Sequence, residues 1–266
     1  LVVENFRGEG NKVGLIAYHN KREDGLIENC SVSGKLGGLN LIGGIVGVNS
    51  GGDIKNCEAQ VSTFDIEKDS ERDIRTGGIA AENKYDSVID NCSSKSFLHG
   101  TSQVGGIVSL NYGEISNSLS ESWIGGGDTC GGIVGSNTGK CSDCRSNCFI
   151  EAEDKLGGIV GVNSGYVYDC SSIGLYNGMF KTGGLVGLNV GDIKRCYSEA
   201  KIHKPESPVK GRLVGMNCEG SSVHNSYSVG DTDDLENIGR NNGKTSSMGV
   251  VENTDNIDRK FLANEI

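Results

Sequence analysis

Proline is nearly missing, with 2 residues in a chain of 266, and aromatic residues make up only 6%. So little proline argues against a disordered Pro/Gly tract, and glycine without a G-X-Y period excludes collagen. Basic residues are outnumbered, 25 Lys and Arg against 35 Asp and Glu, for a net charge of −10. A chain that wraps nucleic acid neutralises phosphates with Lys and Arg, so this balance argues against that role. No run approaches the ~20 apolar residues of a membrane-spanning helix. No segment of useful length carries apolar residues at i, i+3, i+4 and i+7, so helices are not expected in the body of the chain. The chain begins at Leu1 and not at Met, as expected of a processed product or an excised fragment, and a missing leader then carries no information.

What is present is glycine, 42 residues of it, at fixed places. The clearest unit is Gly157-Gly158-Ile159-Val160-Gly161-Val162-Asn163-Ser164-Gly165, followed by Val167 and Asp169-Cys170-Ser171-Ser172. Its second glycine recurs as Gly14, Gly44, Gly78, Gly106, Gly132, Gly158 and Gly184, with Arg212 once in that column. The intervals are 30, 34, 28, 26, 26, 26 and 28 residues, and the longer ones read as loop insertions, such as the charged stretch 65–75. The next residue is always Leu or Ile. Five positions beyond the anchor stand Asn49, Asn83, Asn111, Asn137, Asn163, Asn189 and Asn217, with Asn20 displaced by one. A later column reads Cys30, Cys57, Cys92, Ser118, Cys144, Cys170, Cys196 and Ser226.

A period of this length made of short β-branched runs, Gly and Asn predicts an all-β, single-stranded parallel β-helix, right-handed, of about eight coils of 26–34 residues. Equivalent residues of successive coils then lie ~4.8 Å apart, so like packs on like. An Asn column satisfies itself if each amide donates to the next, as amides do in cross-β stacks. The glycines after it (Gly113, Gly139, Gly165, Gly191) suit a turn with positive φ. The Cys/Ser column predicts a narrow interior for small side chains. Both residues after the anchor are apolar, but the residue four after it varies from Val162 to Ser136 to Glu82. That parity is assigned outward, and positions of the Ile159 type to the core. Residues 1–230 form the solenoid, with 1–10 as an N-terminal cap; 231–266 hold a degenerate coil at 237–243 and a short capping helix at 258–266.

The run Gly-Gly-Leu/Ile-Val-Gly-x-Asn-x-Gly, then Ile/Val, then Asn/Asp-Cys-x-Ser, resembles the GLUG-motif repeat; Gly183-Gly184-Leu185-Val186-Gly187-Leu188-Asn189 is the nearest copy. The resemblance covers roughly residues 10–230. It implies β-solenoid segments of large bacterial surface and secreted proteins, including IgA-specific metallo-endopeptidases and adhesin-like proteins. The peptidases need a zinc-binding His-Glu-x-x-His, and none of His19, His99, His203 or His224 begins one.

Candidate sites are few. Cys141, Cys144 and Cys148 have a spacing that can bind zinc, but all three fall in repeat columns occupied elsewhere by small or apolar residues, so no metal and no other cofactor is expected. Adjacent ladder thiols have parallel Cβ vectors that fit a disulfide poorly; free buried cysteines are expected, with Cys218 the accessible one. Asp231, Asp233 and Asp234 lack the next calcium ligand, since Leu235 stands there. Outward parity places Trp123, Phe149 and Leu175 on successive coils, with Leu119, Ile173, Tyr197 and Tyr227 on the same face, and such a stripe marks an interface. The expected function is a non-catalytic structural or binding module of an extracellular or surface protein, with a protein or glycan partner or self-association and no nucleic acid. A carbohydrate-active β-helix enzyme and an end-to-end filament subunit are the alternatives.

Overall fold

The computed structural model describes residues 1–21, 24–64, 72–203, 208–229, 235–246 and 248–251. Among these residues there is no helix, and every strand pairing is parallel. Three sheets run the length of the stack: sheet A with 18 strands, and sheets B and C with nine each. One coil shows the plan. Arg145–Ala152 and Lys155–Gly157 lie in sheet A, Val160–Asn163 in sheet B and Tyr166–Tyr168 in sheet C, before Ser171–Gly178 starts the next coil.

The corner between sheets A and B explains the paired glycines. A Cβ on Gly157 would lie 2.0 Å from the Val160 carbonyl oxygen of its own coil, and one on Gly158 would lie 2.1 Å from the Gly184 oxygen of the next coil. Backbone stands where side chains would be, so the chain turns within two residues. Leu and Ile beyond the corner then point into one continuous core, from Val13 to Ile238.

The β-solenoid is as expected, and the degenerate coil expected at 237–243 is its ninth. Ile238–Asn241, Lys244–Ser246 and Gly249–Val251 pair in register with Val214–Asn217, Ser222–His224 and Tyr227–Val229, completing a coil that lacks the glycine anchor. At the other end residues 1–10 are not a cap. Val2–Val13 is a sheet A strand paired with Ser31–Gly43, so the first coil is a full member of the stack. Asn20 also joins the Asn column, opposite Asn49, because the extra residue is taken up before Ala17. The helix expected at 258–266, most of the insertion at 65–75 and the aspartates at 231–234 lie outside the described residues.

Two local expectations are corrected. Ile159 and Val160 are both fully buried in the core, although Val162 is half exposed. Alternation fails because the ladder passes over the residue between them: Val134 pairs with Val160 and Ser136 with Val162, with no bridge at Gly161. Nor do Gly113, Gly139, Gly165 and Gly191 have positive φ. They are required by proximity, since a Cβ on Gly165 would lie 2.1 Å from the Gly139 oxygen. The left-handed residues that recur in every one of the first eight coils stand instead at the corner between sheets C and A, just before the Cys column. They are Asn29, Asn56, Asn91, Asn117, Asp143, Asp169, Arg195 and Asn225, with φ between 48° and 55°. Asn and Asp are the non-glycine residues that tolerate this region best.

Candidate functional site

The expected amide ladder is present and continuous. Each Asn Nδ2 donates to the Oδ1 one coil on, from Asn20 through Asn49, Asn83, Asn111, Asn137, Asn163, Asn189 and Asn217 to Asn241, at 2.8–3.0 Å. The second proton of Asn163 reaches the Gly165 carbonyl at 3.2 Å. Members from Asn49 to Asn217 are buried. The column holds the turn between sheets B and C, and the amides of its buried members, Asn49 to Asn217, are all taken up within it.

The Cys/Ser column locks the left-handed corner. Each side chain donates back across it to the carbonyl two residues earlier: Cys57 to Lys55 at 3.1 Å, Ser118 to Ser116 at 2.7 Å, Cys144 to Ser142 and Cys170 to Tyr168 at 3.1 Å. Small size alone does not explain the column; a short donor is needed. All ten thiols are unpaired, nine buried and Cys218 partly exposed.

The local Cys141-x-x-Cys144-x-x-x-Cys148 spacing does not form a cluster. Cys148 lies in sheet A opposite Gly174, its sulfur 3.3 Å from the Ser120 hydroxyl. Cys141 and Cys144 meet Cys170 of the next coil instead, with the three sulfurs all within 4.8 Å of one another. Among the described residues this is the one place where three His, Cys, Asp or Glu donors converge in this way. Burial alone raises the Cys144 thiol, but hydrogen bonds from Cys141 and Cys170 and from the Ser118 backbone bring it down. Burial pushes Cys170 up, reinforced by its bonds to Cys141, Cys144 and Cys196.

On the outer face of sheet A the register aligns Phe97 with Trp123, Trp123 with Phe149 and Phe149 with Leu175; Lys201 ends the column. The Trp123 and Phe149 rings stack at 6.3 Å and 11°, and the indole lies over Gly125, whose missing side chain leaves it room. Phe97, at 65% exposure the most open member, escaped the sequence reading, although it precedes Trp123 by one 26-residue period. The other stripe residues fall in separate columns. Leu119 and Tyr227 share one with Arg145, Ser171 and Tyr197, and Ile173 lies between Asn147 and Glu199. Tyr197 is not a surface residue: it is buried at 6% exposure, outside the solenoid core, with its hydroxyl on Glu199 at 3.3 Å. Burial, the nearby Glu199 charge and that hydrogen bond all raise its phenol. The apolar strip is therefore one side chain wide and four coils long.

Stacked parallel coils, an internal amide ladder and glycine corners define a parallel β-solenoid of the ladder-bearing kind. Within that class the chain carries the GLUG motif, whose family model matches residues 38–64. That segment includes the corner Gly43-Gly44, Asn49 of the ladder and Asn56-Cys57, and the coils on either side pair with it in the same register. No curated protein matches the chain.

Proposed function

We propose that this chain is a non-catalytic, rod-like binding module of a secreted or cell-surface protein, and that its working surface is the Phe97–Trp123–Phe149–Leu175 column. The observation that carries this reading is the alignment of three aromatic rings and a leucine on four successive coils of an outer face, where nothing in the stacking of coils requires them. At ~4.8 Å per coil the strip is roughly 15 Å long. It is too narrow for the ~800 Å² that a partner typically gives to a stable protein interface, and it suits an extended chain lying along the axis. Exposed Glu121 and Asn147 on one side, and exposed Glu151 on the other, its carboxylate taking a hydrogen bond from half-buried Asn177 at 3.2 Å, offer acceptors and an amide donor beside the rings. Aromatic faces flanked by such groups fit a glycan chain. Nearby carboxylates serve the rod itself: Asp154 ties Lys155 to Lys181 of the next coil, and Asp169 pairs with Arg195.

A glycan array probed with the isolated chain, and with the double variant Trp123→Ser/Phe149→Ser, tests this. Binding that the double variant loses supports the reading. Association of the chain with itself, or turnover of a polysaccharide that a single Glu substitution abolishes, would overturn it.

A further inference from the structure

We propose that Cys141, Cys144 and Cys170 form a buried three-thiol site for one soft, closed-shell cation, Cu(I). The site is assembled by the fold and not by local spacing. Cys141 points inward from the sheet C strand Lys140–Ser142. Cys144 follows the left-handed corner at Asp143, and Cys170 follows the same corner at Asp169, one coil on. Their sulfurs lie within 4.8 Å of one another and their exposures are 0%, 0% and 1%.

Cys141 is the informative member. The other inward residues of sheet C from the first coil to the eighth are Ile27, Ile54, Ile89, Ile115, Val167, Ile193 and Val223, paired coil to coil with no gap. An aliphatic side chain buries more apolar surface than a thiol does, and the corner lock that explains the Cys column does not act here. Ile27, Ile54 and Val167 adjoin two ladder thiols in the same way and stay aliphatic, so packing against the ladder does not by itself call for cysteine at 141.

The donor set selects the ion. Three sulfurs without nitrogen or carboxylate favour a soft cation such as Cu(I). Zinc requires four ligands in a structural site. Cys196 adjoins Cys170 but lies outside the triad, and Cys148 is turned toward Ser120. Metal–thiolate bonds of about 2.3 Å around a trigonal centre place sulfurs about 4 Å apart, inside the observed envelope. Coordinating thiols release their protons to solvent, so loading weakens as pH falls. The site is closed to water, so the ion enters while the coils form or open.

The test is refolding from urea under anaerobic, reducing conditions with Cu(I) supplied in competition with the chromophoric chelator bicinchoninate. The wild-type chain should withhold one copper per chain. Cys141→Val should withhold none while keeping the β-sheet circular dichroism, since valine stands in this column at Val167. Cys170→Ser, which places the residue found in the ladder at Ser118, should also lose the copper. Cys148→Ser and Cys218→Ser should keep it. Failure of the wild type to withhold copper, undiminished retention in Cys141→Val, loss in Cys148→Ser, or retention of Zn(II) in place of Cu(I) would each overturn the assignment.

Discussion

Sheet B and the outer face of sheet A run side by side along the same stack, yet they treat their columns differently. At the end of each sheet B strand the same side chain recurs, and from Asn20 to Asn241 every amide is bonded to the next. On the outer face of sheet A the column from Phe97 passes through Trp123, Phe149 and Leu175 to Lys201, keeping its position but not its chemistry. The difference is one of constraint. Where a residue must fit against its own copy in a closed interior, one type persists; where it meets water, neighbouring coils impose nothing, and the residues found there are free to serve a partner.

The comparison breaks most severely at the corner beside sheet B. A Cβ on Gly132 would lie 2.0 Å from the Gly158 oxygen, a clash with backbone that no side-chain rotation relieves. Gly132→Ala should cost more than ~3 kcal/mol, beyond ordinary overpacking, and should appear as insoluble protein or a collapsed urea midpoint. Next comes the ladder. Asn163→Ala strips the acceptor from Asn137 and the donor from Asn189, both buried; the loss should be roughly 1–3 kcal/mol by urea denaturation. Asn241→Ala, at the exposed last rung, should cost well under half as much.

The left-handed corner sharpens the contrast. Asn117 has φ 49°. Asn117→Gly should be tolerated, whereas Asn117→Val should cost about 1–2 kcal/mol, because a β-branched residue is poorly accommodated there. Thermal melts of the pair would separate backbone strain from lost contacts. The smallest stability effect belongs to the outer face. Trp123→Ser/Phe149→Ser should leave the fold within ~0.5–1 kcal/mol of wild type, as surface changes do, while binding is lost.

Much of the interior was legible because stacking writes each contact into the sequence nine times over. The Asn and Cys columns, the corner glycines and the coil length all follow from that repetition. Alternation was misread because Gly161 sits in a break of the ladder, and a break of register leaves no mark in a pattern of apolar residues. The left-handed corner did leave a signal: Asn or Asp before the Cys column in seven of eight coils, with Arg195 the exception. The buried ring of Tyr197 and the meeting of Cys141 with Cys170 depend on which columns share a corner, and spacing along the chain does not report that. Thr129 and Lys155, which face each other in sheet A, are likewise paired by the stack and not by local sequence.

The division between a self-satisfied interior and a permissive outer face is tested most directly by urea unfolding of three proteins side by side: wild type, Asn163→Ala and Trp123→Ser/Phe149→Ser. The predicted result is a clearly lowered midpoint for the ladder variant and a midpoint close to wild type for the surface pair. Equal midpoints for wild type and Asn163→Ala, or a surface pair that unfolds as early as the ladder variant, would contradict it.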